Sequence, residues 1–319
     1  MLTTIYQPIQ QDLARVEDRL RSVCEVDFPQ LSELLDYSLR GGKRVRPALV
    51  LLSGKFYNYD LARLLPMAAA VEVLHTATLV HDDAIDNSLV RHGRPTINKV
   101  WGEDKAILLG DYLLAKSEEL VADTQNLQVI KLFARAIMTI ARGELSQAFD
   151  AFDVEQGRQQ YLQRIASKTA SLLSLATESG AMLSQAPEKA VKALKEYGYN
   201  LGIAFQIVDD VLDFSSTEEE LGKPVGSDLA QGTLTLPAIL LLESYPEDNP
   251  VTRWFHSRDK EENVEAAIEL IRSSSIIPEC YKVASDYCAR ACRSLDLLPD
   301  NASRRSLTKL ADYVVARKK

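Results

Sequence analysis

Histidine, cysteine, methionine and tryptophan are scarce, at 4, 4, 4 and 2 of 319 residues. The cysteines Cys24, Cys280, Cys288 and Cys292 form no Cys-x-x-Cys pair and are too unevenly spread for a disulfide framework. Cys288 and Cys292 stand one helical turn apart, but no third or fourth soft ligand follows, so packing is the plainer reading. A reducing, cytoplasmic setting is expected. Basic residues are in deficit, 37 against 45 acidic, for a net charge of −8, which excludes a general nucleic-acid binder. No run approaches the ~18 apolar residues of a membrane span. The opening residues also lack the basic-then-apolar pattern of a signal peptide.

Strand-like alternation is nearly absent too. What is present is apolar spacing of three and four over long stretches, in a chain that is 46% hydrophobic and 26% charged, so the fold class is all-α. QLSELLDYSLR stops at Gly41-Gly42 as a helix does at its C-cap, and Pro47 suits the first turn of the next helix. From Asp60 to about Asn87 the chain is apolar over much of its helical circumference, which predicts a buried helix. Further helices are predicted at 103–122, 126–149, 158–184, 187–214, 234–244, 260–273, 278–296 and 303–317. With no linker, repeat or shift in composition, residues 1–319 read as one domain, a helical bundle around a deep central cavity.

Acid lies where that bundle should be building its core. In HDDAID, Asp82 and Asp86 share a helix face about 40° apart, with Asp83 on the flank. The arrangement recurs in FQIVDDVLD as Asp209, Asp210 and Asp213. Carboxylates so close repel one another and resist burial, unless a cation resolves both problems. One such triplet could be a solvated helix end. Two apolar-flanked copies point instead to hard cations, and Mg²⁺ takes one or two carboxylates together with phosphate oxygens. A diphosphate ligand follows.

Basic groups suited to that ligand stand nearby in the chain. Lys43, Arg44 and Arg46 of GGKRVRP lie between a helix C-cap and the next helix N-terminus, where an anion is favoured; the spacing is not that of a P-loop. Arg91 and Arg94 follow the first acidic set, Lys168-Thr169 lies mid-helix, and Lys223 follows the second set. Each alone is an ordinary surface charge. His75 precedes Asp82 by seven residues and shares nearly the same face. Glu72 and His75 also form a Glu-x-x-His pair, the unit of di-iron bundles; those need two such pairs, and no other histidine has a Glu three residues before it.

Taken in order, GGKRVRP, HDDAID with RHGRPT, SKTASL, FQIVDDVLD and GKPVGSDLAQGTLTLP resemble the trans-isoprenyl diphosphate synthases over residues 41 to 237. Class I terpene cyclases share the first acidic motif but carry a different second one. The resemblance implies a prenyltransferase, usually a homodimer, that joins isopentenyl diphosphate to an allylic diphosphate. Asp82 and Asp86 on one wall and Asp209 on the other would hold three Mg²⁺ ions, with Asp83, Asp210 and Asp213 orienting or extending that site. Lys43, Arg46 and His75 would grip isopentenyl diphosphate. Arg91, Lys168, Thr169, Gln206 and Lys223 would hold the allylic partner.

Two positions depart from the family pattern. His92 stands where an arginine that contacts isopentenyl diphosphate is common, with Arg94 two residues on, and Thr233 stands where lysine is common; both changes remove a fixed charge. In short-chain relatives a bulky residue blocks the cavity floor at the fifth place before the first aspartate; here that place holds Ala77, with Leu74 a deeper candidate block. A long-chain product, hexaprenyl to decaprenyl, is expected. A farnesyl or geranylgeranyl diphosphate synthase, or a non-catalytic subunit of a heteromeric synthase, are the alternatives. Contact of the oily product with a membrane surface on release stays open.

Overall fold

The structure, a computed structural model, describes residues 2–91, 93–221, 224–257 and 261–317. His92 and Lys223, both expected at the substrate site, lie outside the described residues. Helices dominate: α1 Leu2–Ile5, α2 Gln10–Val23, α3 Pro29–Leu39, α4 Val45–Gly54, α5 Leu61–Ile85, α6 Ile97–Trp101, α7 Glu103–Ala122, α8 Leu127–Phe149 and α9 Arg158–Ile165. After a single π-helical turn, Ala166–Ala170, come α10 Ser171–Leu183, α11 Glu188–Ser215, α12 Glu218–Leu221, α13 Ser227–Ala230 and α14 Leu236–Ser244. The chain continues with α15 Pro250–Ser257, α16 Glu262–Ser273, α17 Ile276–Ser294 and α18 Ala302–Ala316. The all-α expectation is met. The sheet among the described residues is one two-residue pair, β1 Val90–Arg91 against β2 Arg94–Pro95, which turns at Gly93 directly behind the first acidic motif.

The described residues gather into two compact units. The first comprises Met1–Ile137, Leu172–Gly198 and Cys292–Leu310. The second comprises Met138–Ser171, Tyr199–Ala291 and Ala311–Lys319. Their boundaries fall within α8, α10, α11, α17 and α18 rather than in loops.

The first unit is built on α5, which packs against α2, α3, α4, α6 and α7. Asp60 caps its N-terminus by accepting the Ala62 amide, and residues such as Met67, Ala68, Ala69, Val71 and Val73 are wholly buried. By length and apolar content α5 is able to cross a membrane, but most of it is buried inside the protein, as the core helix of a globular fold is. The turn between α3 and α4 needs left-handed backbone: Gly41 and Gly42 have φ of +81° and +97°, values at which a Cβ is strained. In the second unit α14, α15 and α16 pack on one another, and α14 also meets α9.

Candidate active site

The first acidic motif closes α5. Asp82 and Asp83 lie in its last turn and Asp86 is the C-cap residue. A helix C-terminus already carries partial negative charge, so three carboxylates there are opposed by the dipole as well as by each other. They are not equivalent. Asp83 is buried and accepts a 2.8 Å hydrogen bond from Arg91 Nε. Burial pushes its carboxyl above the ordinary range, partly offset by that guanidinium. Asp82 is half-buried and Asp86 exposed. The hairpin β1–β2 is what returns Arg91 to Asp83.

The second motif divides in the same way within α11. Asp210 is 3% exposed; its Oδ2 accepts from the Tyr161 hydroxyl at 2.6 Å and its Oδ1 from Gln206 Nε2 at 2.8 Å. Burial, with the nearby charge of Asp228, raises its carboxyl to about 7, against the pull of Tyr161, Gln206 and Arg164. Asp213, near the end of α11, is buried against the start of α13, where it accepts from the Ser227 hydroxyl at 3.2 Å and faces the Asp228 amide at 3.5 Å. Asp209 is half-exposed and pairs with Arg317, whose guanidinium also lies over the Phe205 ring at 4.6 Å.

Lys168 and Thr169 sit on the π turn rather than mid-way along a regular α-helix, because one extra residue is accommodated there. The neighbours explain why the turn fits: a Cβ on Gly202 of α11 would stand 2.4 Å from Ala170 Cα, so only glycine lets the backbones approach. The turn sends Lys168 Nζ to Glu144 of α8 at 2.9 Å and Thr169 Oγ1 to Gln206 Oε1 at 2.5 Å. Thr169, Gln206, Asp210 and Tyr161 thus form one hydrogen-bonded chain.

In the first unit Lys43 is exposed, Arg46 and His75 are half-buried, and Leu74 and Ala77 are each 1% exposed. Arg44 differs from the reading that placed it with the anion-binding groups. Its side chain is spent on Glu17 and Glu72, which also accounts for the Glu-x-x-His pair without a metal. Arg94 lies over the Tyr37 ring at 4.3 Å, and Thr233 is half-buried with its amide bonded to the Asp228 carbonyl. The sequence did not single out Tyr161, Arg164, Glu17, Glu144 or Arg317. Tyr161 is 49 residues and Arg317 108 residues from its aspartate, so no local spacing could have shown the pairing.

The donors fit hard cations in one respect each. Asp82 and Asp86 lie one turn apart at a helix end whose dipole a cation relieves, and Asp209 retains partial solvent access. Among the described residues, no three His, Cys, Asp or Glu side chains are gathered closely enough to hold a metal alone. Mg²⁺ does not need such a cage, since it keeps waters and takes phosphate oxygens beside one or two carboxylates.

Both acidic motifs lie on helices, and each keeps a carboxylate that is not buried: Asp82 and Asp86 in the first, and Asp209, 34% exposed, in the second. The polyprenyl synthetase family model matches residues 28–271. Heptaprenyl diphosphate synthase component 2 of Bacillus subtilis (strain 168) is 39% identical over 98% of this chain and 90% of its own length. Among solved structures, a decaprenyl diphosphate synthase from Rhodobacter capsulatus superposes with a TM-score of 0.93 at 36% identity, covering 100% of both chains. A polyprenyl synthase from Caulobacter crescentus CB15, complexed with calcium and isoprenyl diphosphate, gives a TM-score of 0.93 at 34% identity, covering 100% of this chain and 98% of that one. The chain belongs to the polyprenyl synthetase family, and it is an enzyme, a prenyltransferase.

Proposed function

We propose that this chain is a Mg²⁺-dependent trans-polyprenyl diphosphate synthase that condenses isopentenyl diphosphate with an allylic diphosphate into a long-chain product. One observation carries the reading. Each aspartate triplet is split between what the protein holds and what solvent reaches: Asp83 is buried on a protein donor while Asp82 and Asp86 are accessible, and Asp210 and Asp213 are buried on protein donors while Asp209 is accessible, which suits helices that bind a metal. Relatives named for heptaprenyl and decaprenyl products support the long chain, and so does the small Ala77.

Asp82, Asp86 and Asp209 are the residues that would hold Mg²⁺, three ions in this proposal. Bound there, Mg²⁺ supplies Lewis acidity and positive charge for the diphosphate that departs from the allylic carbon. The protein's own groups do the rest. Asp83, Asp210 and Asp213 fix the backbone around the metal-binding carboxylates through Arg91, Tyr161 and Ser227. Lys168, steadied by Glu144, presents a fixed cation to the allylic diphosphate, with Thr169 and Gln206 beside it and Arg91 and Lys223 completing the set. Lys43, Arg46 and His75 hold isopentenyl diphosphate, whose double bond is the nucleophile. No protein nucleophile is required, apolar walls keep water from the cation, and the last proton leaves to the released diphosphate.

Purified chain given Mg²⁺, labelled isopentenyl diphosphate and farnesyl diphosphate should form hexaprenyl to decaprenyl diphosphate. Products that stop at farnesyl or geranylgeranyl length would move the reading to a short-chain synthase. The relative named as component 2 of a heptaprenyl synthase favours a second arrangement, in which product appears only when a partner polypeptide is added.

For assembly we favour a homodimer through α8. Leu127, Met138, Leu145 and Phe149 are exposed along this one helix, Phe149 at 86%, and all four fall within about 40° of one another on its wheel. An apolar stripe of that kind seeks a partner. Phe149→Glu with Leu145→Glu should convert dimer to monomer in light scattering. A cytoplasmic location is proposed from the low cysteine count alone.

A further inference from the structure

We infer that Arg44 is a positioning residue for isopentenyl diphosphate, one that sets the loop carrying Lys43 and the helices carrying Arg46 and His75 in a common register. The inference rests on the proposed function above and goes beyond it, because Arg44 itself never touches substrate.

Arg44 stands between α3 and α4 in a left-handed conformation, with φ of +50° and ψ of +36°, which a side chain rarely adopts without support. The support is visible. Its side chain is 10% exposed and four of its donor contacts are satisfied by three different helices. Nε reaches Glu17 Oε1 of α2 at 2.5 Å, and Nη2 reaches Glu17 Oε2 at 3.0 Å. Nη2 also reaches the carbonyl of Leu39, the last residue of α3, at 2.8 Å, and Nη1 reaches Glu72 Oε1 of α5 at 2.9 Å.

The residues joined in this way flank the proposed subsite. Lys43 precedes Arg44, and its carbonyl accepts from the Tyr6 hydroxyl at 3.0 Å. Arg46 lies in the first turn of α4, and His75 lies one turn beyond Glu72 on α5. A guanidinium has five donors in a fixed plane, so it can grip Glu17 with two of them and still reach Glu72 and the Leu39 carbonyl; an ammonium has three donors and cannot make all four contacts. Arg44 also neutralises Glu72, which is 6% exposed and would otherwise place a bare negative charge one turn from His75 on the diphosphate side. A gap between Lys43, Arg46 and His75 misjudged by an ångström costs binding of a small diphosphate anion steeply.

The test compares wild type with Arg44→Lys and with the triple variant Arg44→Met, Glu17→Gln, Glu72→Gln, which removes the three paired charges together and so leaves none of them buried without a partner. Steady-state kinetics would be measured with each substrate varied in turn, alongside calorimetric titration with isopentenyl diphosphate and circular dichroism. In both variants KM for isopentenyl diphosphate should rise about 10- to 100-fold, with matching weakening of binding, while KM for the allylic diphosphate changes less than about threefold. Equal change in both KM values, no change in a folded variant, or unfolding of both variants would overturn it and leave Arg44 a residue of general stability. Wild-type protein that neither binds nor consumes isopentenyl diphosphate would instead remove the proposed function, and this inference with it.

Discussion

The Tyr161 hydroxyl donates to Asp210 across 2.6 Å in a place where neither group meets solvent. The carboxyl there is raised to about 7, first by burial and then by Asp228. An ordinary unfolded aspartate titrates near ~3.9, so between those limits the folded metal-free protein binds the proton that the unfolded chain has lost. Stability from this group is therefore fully present below about pH 4, declines as pH rises through about 7, and is flat above. Tyr161→Phe removes the donor that favours the ionised form. Thermal melts should show a loss of about 1–3 kcal/mol at pH 8 and a smaller one at pH 5. Equal losses at both pH values would place the cost in packing alone.

Arg317 occupies the carboxylate that a metal is proposed to use, and the two cations cannot share it without competing. Arg317→Gln should lower the Mn²⁺ concentration needed for half-saturation by about three- to tenfold, read from free-ion electron paramagnetic resonance without any turnover. The phenylalanine beneath it, Phe205, remains in place as a control on the fold. Unaltered Mn²⁺ binding would show that the pair exerts no competition.

Gly202→Ala drives a methyl into the backbone of the π turn at Ala170. Overpacking of this kind costs about 1–3 kcal/mol. Since the turn also aims Lys168 and Thr169, KM for the allylic diphosphate should rise in the variant that still folds at 20 °C, while KM for isopentenyl diphosphate holds. A melting curve and two substrate titrations decide it.

Ala77→Phe fills a fully enclosed position on α5. Product should shorten by at least one isoprene unit on thin-layer chromatography, at a stability loss of about 1–3 kcal/mol. An unchanged product ladder from folded protein would mean that chain length is measured elsewhere.

The helices were readable because their apolar spacing is regular and their ends carry Gly, Pro and capping residues: 103–122 is observed as Glu103–Ala122 and 126–149 as Leu127–Phe149. The predicted helix at 158–184 exists, but its π turn depends on Gly202, 32 residues beyond Ala170 in the chain, and nothing in SKTASL announces it. The short helix α6 and the β1–β2 pair are too brief to leave a periodic signal.

Residue type and order alone determined that this is a helical protein with two acidic motifs set in apolar helices, the pattern by which its family could be recognised. They could not say which aspartates serve the protein and which serve a ligand, because all six are chemically the same residue. The fold separates them: Asp83 is buried on Arg91, Asp210 on Tyr161 and Asp213 on Ser227, while Asp82, Asp86 and Asp209 keep access to solvent, Asp209 beside Arg317. Burial and hydrogen bonding are properties of what surrounds a side chain, and only folding brings those surroundings together.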